Sequence, residues 1–216
     1  MDRDIQYAGE DASSMQAGAA GLRAALVASL FVAVGSFALG GVTSFAQGFL
    51  PDELSSFANS ASGWTLITAI LIVITKVRWR LAAVLGAVSF VLLTVGYAVI
   101  ATARGLYHDP LMFSLIGVVV GPFVGVAACW LRAEGLRRAL GTALLAGIGV
   151  GEGVYGLTVV SETTSPVYWI VIIGLGAALV VWSVVRGLRG AVPLIVAVGG
   201  TVVVAAAFNL AYSSLG

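Results

Sequence analysis

The sequence predicts an all-α fold, a polytopic membrane helical bundle of seven transmembrane helices with the N-terminus cytoplasmic and the C-terminus outside. Three observations carry the prediction. Hydrophobic residues fill 60% of the 216 positions and charged residues only 10%, against roughly 25% charged in an ordinary soluble domain. The apolar residues gather into seven runs at or near spanning length, which is about 20 residues. Ten of the eleven basic residues fall on alternate connections between those runs, the bias that sets membrane topology. A soluble domain of this size leaves about a third of its surface in water and cannot hide so much apolar area. A soluble enzyme and a disordered chain are thereby excluded. A nucleic-acid binder is excluded too, because no basic patch with interleaved aromatics is present to meet a phosphate backbone.

Residues 1–22, opening MDRDIQYAGEDASSMQ, read as a flexible cytoplasmic N-terminal tail, and residues 23–216 as a single transmembrane helical domain. A secretory leader has its charges in the first few residues and an apolar core of 7–15. Here the polar stretch is longer and the first run, 24–45, is of full length, so it is expected to be a retained span. The second run, 63–77, has only 15 residues. It extends backwards through LSSFANSAS toward Pro51, as a long tilted helix or as a surface helix feeding a span. The remaining runs are 81–103, 111–131, 139–160, 167–185 and 191–212.

Entry signals support these limits. Asp109–Pro110 and Ser165–Pro166 each place a capping residue before a proline in the first turn. Pro51 precedes Asp52 and Glu53, acids that suit a helix N-terminus. Pro193 stands near the start of the last run, and Pro122 lies deep in the fourth, where membrane helices tolerate a bend.

Direction follows from charge. A cytoplasmic N-terminus places Arg3, Arg23, Lys76, Arg78, Arg80, Arg132, Arg137, Arg138, Arg186 and Arg189 inside and only Arg104 outside. Six spans without the second run would put the Lys76–Arg80 cluster outside, against the rule. The expected location is the inner (cytoplasmic) membrane, with the lipid bilayer as the first partner. The connections VRWR, SETTSP and RGLRG leave no room for an extramembrane domain.

Small residues recur every four positions: Ser36, Gly40, Ser44 and Gly48 on the first run, and Gly117, Gly121, Gly125 and Cys129 on the fourth. The fifth carries Gly147/Gly151 and Gly149/Gly153, the sixth Gly174/Ala178. Such stripes let helix backbones approach closely. They serve packing within the bundle or, alternatively, docking of a membrane-protein partner or a second copy.

Polar residues are lopsided toward the outer half. Ser44 and Gln47 come from the first run, Asn59 and Trp64 from the second, Tyr97 from the third, and Asn209 from the seventh. Glu152 and Tyr155, three apart on the fifth, share one helix face. Glu152 is the only acid well inside a run, roughly 12 Å from its outer end at about 1.5 Å per residue. A carboxylate at such depth costs roughly 2.5–3.5 kcal/mol on insertion scales and faces the protein interior or a wet cavity. No intramembrane Lys or Arg pairs with it, so it is expected to be uncharged or tied into a polar network. Three roles stay open: structural hydrogen bonding to Asn59, Asn209 or Gln47; binding of a cation, amine or polar headgroup; and acid–base chemistry. Trp64, Tyr168, Trp169 and Tyr212 also suit an interfacial aromatic belt. The candidate ligand-binding set is therefore Glu152, Tyr155, Asn59, Asn209, Gln47, Ser44, Tyr97 and Trp64.

No catalytic residue, metal or cofactor is expected. His108 and Cys129 are the sole residues of their types, too few for a zinc site of the usual kind or for haem ligation by the chain alone. Neither HExxH nor GxSxG occurs.

The segments GGVTSFAQGFLP, FANSASGWTL, GPFVGVAACWLR and GEGVYG resemble an uncharacterised family of small multi-pass membrane proteins common in actinobacteria. The family pattern has proline where this chain has Gly63. The resemblance implies no catalytic residues, since the family has no assigned activity. Ten arginines against one lysine fit a high-GC bacterium. The chain is also similar, more weakly, to the substrate-binding membrane subunits of energy-coupling-factor vitamin transporters. These are all-helical, bind a small molecule from the outer side and meet a coupling subunit through small-residue faces, although they usually have six spans. The expected function is binding or translocation of a small solute through an outward-facing polar pocket. The alternatives are a structural or assembly subunit of a membrane complex and an intramembrane enzyme.

Overall fold

A computed structural model describes residues 2–214, excluding the side chains of residues 2–17 and of Gln47. The elements are α1 (Asp2–Phe49), a short 3₁₀ helix (Ser55–Asn59), α2 (Ala61–Thr75), α3 (Trp79–Ala103), α4 (Leu111–Trp130), α5 (Gly135–Thr158), α6 (Pro166–Gly187) and α7 (Ala191–Ser213). Each apolar run is a helix, and no strand occurs among the described residues. Six helices are long and apolar enough to cross a membrane, while α2 is shorter. The helical assignment of α1 reaches back to Asp2, through the segment expected as a tail; its apolar, span-length part is Gly18–Ala46.

Two of the expected caps are in place. Asp109 accepts from the Leu111 N–H at 2.9 Å, and Ser165 accepts from the Val167 N–H with Pro166 in the first turn of α6. The long tilted form of the α2 extension is not adopted; a separate short helix, Ser55–Asn59, feeds into α2. The chain is broken at Ser60, whose extended backbone (φ −131, ψ 149) separates the 3₁₀ helix from α2. Gly63 makes this tight reversal possible, because a Cβ there would collide with the Phe57 carbonyl.

Two groups of helices build the bundle. α3 packs extensively on both α1 and α4, and α5 on both α6 and α7. Contact between α4 and α5 joins the groups, and α2 lies across the join. Val32, Ile72, Leu93 and Val124, from four different helices, are fully buried in the principal core. Outward faces such as Leu30 and Val34 on α1 or Val202 and Val203 on α7 are exposed, as a lipid-facing surface requires.

The small-residue stripes are turned inward. A Cβ on Gly40 would strike the Leu93 carbonyl, and one on Gly125 the carbonyl of Ala82. Gly147 and Gly151 meet α7, while Gly149 and Gly153 meet α6. Most of these faces are occupied by neighbouring helices of the same chain; the exceptions are the exposed pair Gly174 and Ala178 on α6, and Gly48, which meets only the Arg104 side chain. Hydroxyls reinforce the seams. Ser36 and Thr68 both meet Ser89, at 2.8 and 2.9 Å, tying together α1, α2 and α3. Thr142 and Ser183 lie 2.6 Å apart between α5 and α6. With lipid offering no hydrophobic drive for association, such close contacts and hydrogen bonds hold the helices together.

Successive helices alternate in direction. Ser60 beside Tyr168, Arg104 on Ser44, and Tyr155 against Tyr212 bring one set of termini together. Arg132 on the Val77 carbonyl and Arg138 on the Arg186 carbonyl gather the opposite set. The second end carries the basic connections; the first holds Arg104 with Asp52, Glu53, Asp109 and Glu162.

Candidate functional site

The site is built where α5 meets the start of α2. Gly151 lets α7 approach on one side of Glu152, and Gly153 lets α6 approach on the other. The glutamate is thereby directed at the N-terminus of α2, where it is 4% exposed. Its Oε1 accepts from the Ala61 N–H at 2.8 Å and its Oε2 from the Ser62 N–H at 2.7 Å. Ser60 Oγ accepts from the Gly63 N–H at 2.9 Å, and the Trp64 N–H reaches the Ser60 carbonyl at 3.2 Å. A helix begins with N–H groups that lack intrahelical partners; those of Ala61, Ser62 and Gly63 are satisfied here by side chains, and the ordinary helical bonding starts at Trp64. The carboxylate also sits at the positive end of the helix dipole. Leaving these donors unpaired in a membrane interior costs several kcal/mol each, which offsets the cost of burying the glutamate.

The polar partners expected for Glu152 thus need correcting. Neither Asn59 nor Asn209 bonds to it; the backbone of α2 does. Asn209 Nδ2 instead donates to the carbonyls of Gly151 and Ala205, both at 2.9 Å, fastening α7 to α5 directly behind the glutamate.

A cavity of about 360 Å³ opens beside the carboxylate. Glu152, Tyr155 and Asn59 line it, joined by Tyr212, Trp169, Thr163, Thr164, Ser55 and Ser56. Tyr155 and Tyr212 pack edge-to-face at 5.4 Å, and Trp169 Nε1 donates to Thr164 Oγ1 at 2.9 Å. On one flank, Tyr168 Oη lies 2.6 Å from Ser60 Oγ. The lining holds one acid and no base. Since a carboxylate offers about four acceptor positions, Glu152 retains capacity for a donor in the cavity beyond the two backbone groups.

Of the seven candidate residues whose side chains are described, three line one space and four do not. Asn209 lies behind it. Trp64 and Tyr97 join an aromatic cluster with Phe113 and His108, with ring centroids 4.9 Å apart for Tyr97 and His108 and 6.3 Å for Trp64 and Tyr97. Ser44 receives the Arg104 guanidinium on its carbonyl and hydroxyl. The side chain of Gln47 lies outside the described residues. Ser55, Ser56, Thr163 and Thr164 were not expected: the first two stand beside Asn59 on the 3₁₀ helix, and the others on the α5–α6 connection. The run of hydroxyls in SETTSP, just past the end of the glutamate's helix, is the signal that marks two of them. Among the described residues, no group of three or more His, Cys, Asp or Glu side chains is placed to hold a metal ion.

Alternating apolar helices with a buried carboxylate beneath a hydroxyl-lined cavity define a multi-pass helical membrane protein. The chain belongs to the family of unknown function DUF6518, which matches residues 19–216. The expected membership of an uncharacterised family is met, and the match spans every helix that builds the cavity. No curated protein and no solved structure matches the chain.

Proposed function

We propose that this protein binds a small solute carrying an amine or other cationic group in the Glu152 cavity, and that the cavity faces outward from the cytoplasmic membrane. One observation carries the reading: a buried carboxylate at the floor of a space lined by hydroxyls and phenols, without a basic residue among them. Such a lining offers hydrogen bonds to a polar ligand and a negative counter-charge to a cation, and it rejects anions. Outward orientation is supported by the concentration of basic residues at the opposite end. Seven crossings with the N-terminus inside accommodate this.

The test uses variants that leave the α2 contacts intact. Purified protein is heated with primary and quaternary amines, and with neutral and carboxylate analogues of the same size. A bound ligand raises the unfolding midpoint by mass action. Amines are expected to raise it, and Tyr155→Phe with Thr163→Val to reduce that shift; equal shifts with carboxylates would overturn the assignment.

A second reading rests on the two backbone hydrogen bonds to Glu152. Here the glutamate is an internal anchor and the protein a structural subunit. Under it no amine shifts the midpoint, Tyr155→Phe is silent, and only removal of the carboxylate matters.

A further inference from the structure

A second cavity, of about 490 Å³, lies beneath the first and is almost wholly apolar. Its walls come from α2 and α6, and α5 forms its floor through Leu145, Ile148 and Gly149. It is a groove along the lipid-facing flank of the bundle. From Ser62 to Ile74 it follows α2 for about 18 Å at 1.5 Å per residue, somewhat more than one leaflet of a hydrocarbon core about 30 Å thick.

The two ends of this groove differ. Toward the Glu152 cavity it is closed by the Ser62–Glu152 bond and the Ser60–Tyr168 contact, with a carboxylate at the closure. Toward the basic end it runs to Trp182 and Leu131. There the Arg138 guanidinium lies 5.7 Å from the centre of the Trp182 ring. One of its nitrogens donates to the Arg186 carbonyl, while its buried Nε has no partner among the described residues. Arg132 follows Leu131 and spends one donor on the Val77 carbonyl, at the foot of α2. Glu134 is the one acid near this mouth among residues whose side chains are described.

We propose that this groove holds one acyl chain of an anionic phospholipid, with its phosphate at Arg132 and Arg138 in the leaflet at the basic end. An acyl chain matches the apolar lining and the length, and the carboxylate closure excludes a phosphate from the far end. The Arg132 and Arg138 guanidinium groups beside the mouth supply charge complementarity, as basic recesses between transmembrane helices do for anionic headgroups. The site is independent of the Glu152 cavity and stands whether or not that cavity binds a solute.

Native mass spectrometry of the delipidated 216-residue chain tests it, with dioleoyl phosphatidylglycerol and dioleoyl phosphatidylcholine added at equal concentration. Each arginine near a headgroup is worth roughly fivefold in retention. The unsubstituted chain is expected to prefer phosphatidylglycerol by at least about that factor. Arg132→Gln with Arg138→Gln brings the two lipids level, and Arg138→Lys, which keeps the charge, restores part of the preference. Ala178→Trp, filling the groove from an exposed position, lowers retention of both. Three results would overturn the proposal: no preference in the unsubstituted chain, undiminished retention in the tryptophan variant, or displacement of the lipid by excess inorganic phosphate, which would indicate a headgroup site without the groove. Far-ultraviolet circular dichroism identifies any variant that has lost its helices, and Arg138→Lys then carries the test.

Discussion

Glu152 closes the start of α2 with the two oxygens of one side chain, and this makes a sharp prediction about stability. Glu152→Ala strands the N–H groups of Ala61 and Ser62; at about 1–3 kcal/mol for each unsatisfied buried donor, the loss is about 2–6 kcal/mol. Glu152→Gln keeps one acceptor oxygen and turns an amide NH₂ toward an N–H, so it falls between alanine and the parent. Ser60→Ala removes one cap, worth about 1 kcal/mol, together with the Tyr168 contact. Denaturant unfolding in mild detergent should rank them Ala, Gln, then Ser60→Ala. An unfolding midpoint for Glu152→Ala equal to the parent's would mean that the carboxylate does not hold α2. The glutamate's importance is legible in the sequence, because it is the one acid deep in an apolar run and the cost of that position is known. Its partner is not legible. Every residue has a backbone N–H, and only the break at Ser60, set by the local fit of Gly63 under Phe57, decides which of them are free.

Helix seams belong to the next scale, and here spacing in the sequence tells half of the story. Seven apolar runs give seven helices, and the four-residue stripes on α1, α4 and α5 do mark close approaches. The pairing of faces is absent from the spacing. Gly86 and Gly96 on α3 carry no repeat, because each serves a different neighbour: Gly86 lies against Gly121 of α4, and Gly96 against Phe37 of α1. A residue that meets a single partner helix once leaves no periodic trace. Gly86→Leu and Gly125→Leu force side chains into opposing backbone, and overpacking of this kind costs about 1–3 kcal/mol or more. Gly174→Leu and Gly199→Leu meet nothing within 4 Å and should stay within about 0.5 kcal/mol of the parent. Thermal midpoints of the four proteins in one detergent check the contrast. Equal losses at Gly125 and Gly199 would show that close packing does not set the effect, since helix propensity favours leucine over glycine at both positions.

For the molecule as a whole, the outstanding matter is how a 15-residue helix fits among spans of 20 to 29 residues. α2 is about 22 Å long at 1.5 Å per residue, short of a hydrocarbon core about 30 Å thick. Its start, however, is pinned to Glu152, six residues before the end of α5, or about 9 Å below that end. The two lengths together make about 31 Å, close to the full core. The missing depth is covered by Pro51–Ser60, whose irregular backbone is tolerable at that level because it packs on α1 and α6. α2 therefore begins inside the protein and leaves it at Lys76, where the basic connection starts. Seven crossings in the proposed orientation predict that the α1–α2 and α5–α6 connections are reached from outside and the α2–α3 and α4–α5 connections from inside. Single cysteines at the exposed positions Asp52, Glu162, Arg80 and Glu134, in a Cys129→Ser background, test this in intact cells. A membrane-impermeant maleimide should label the first two directly and the last two only after permeabilisation. Labelling of position 80 together with position 52 would place both ends of α2 on one side, and seven crossings would give way to six.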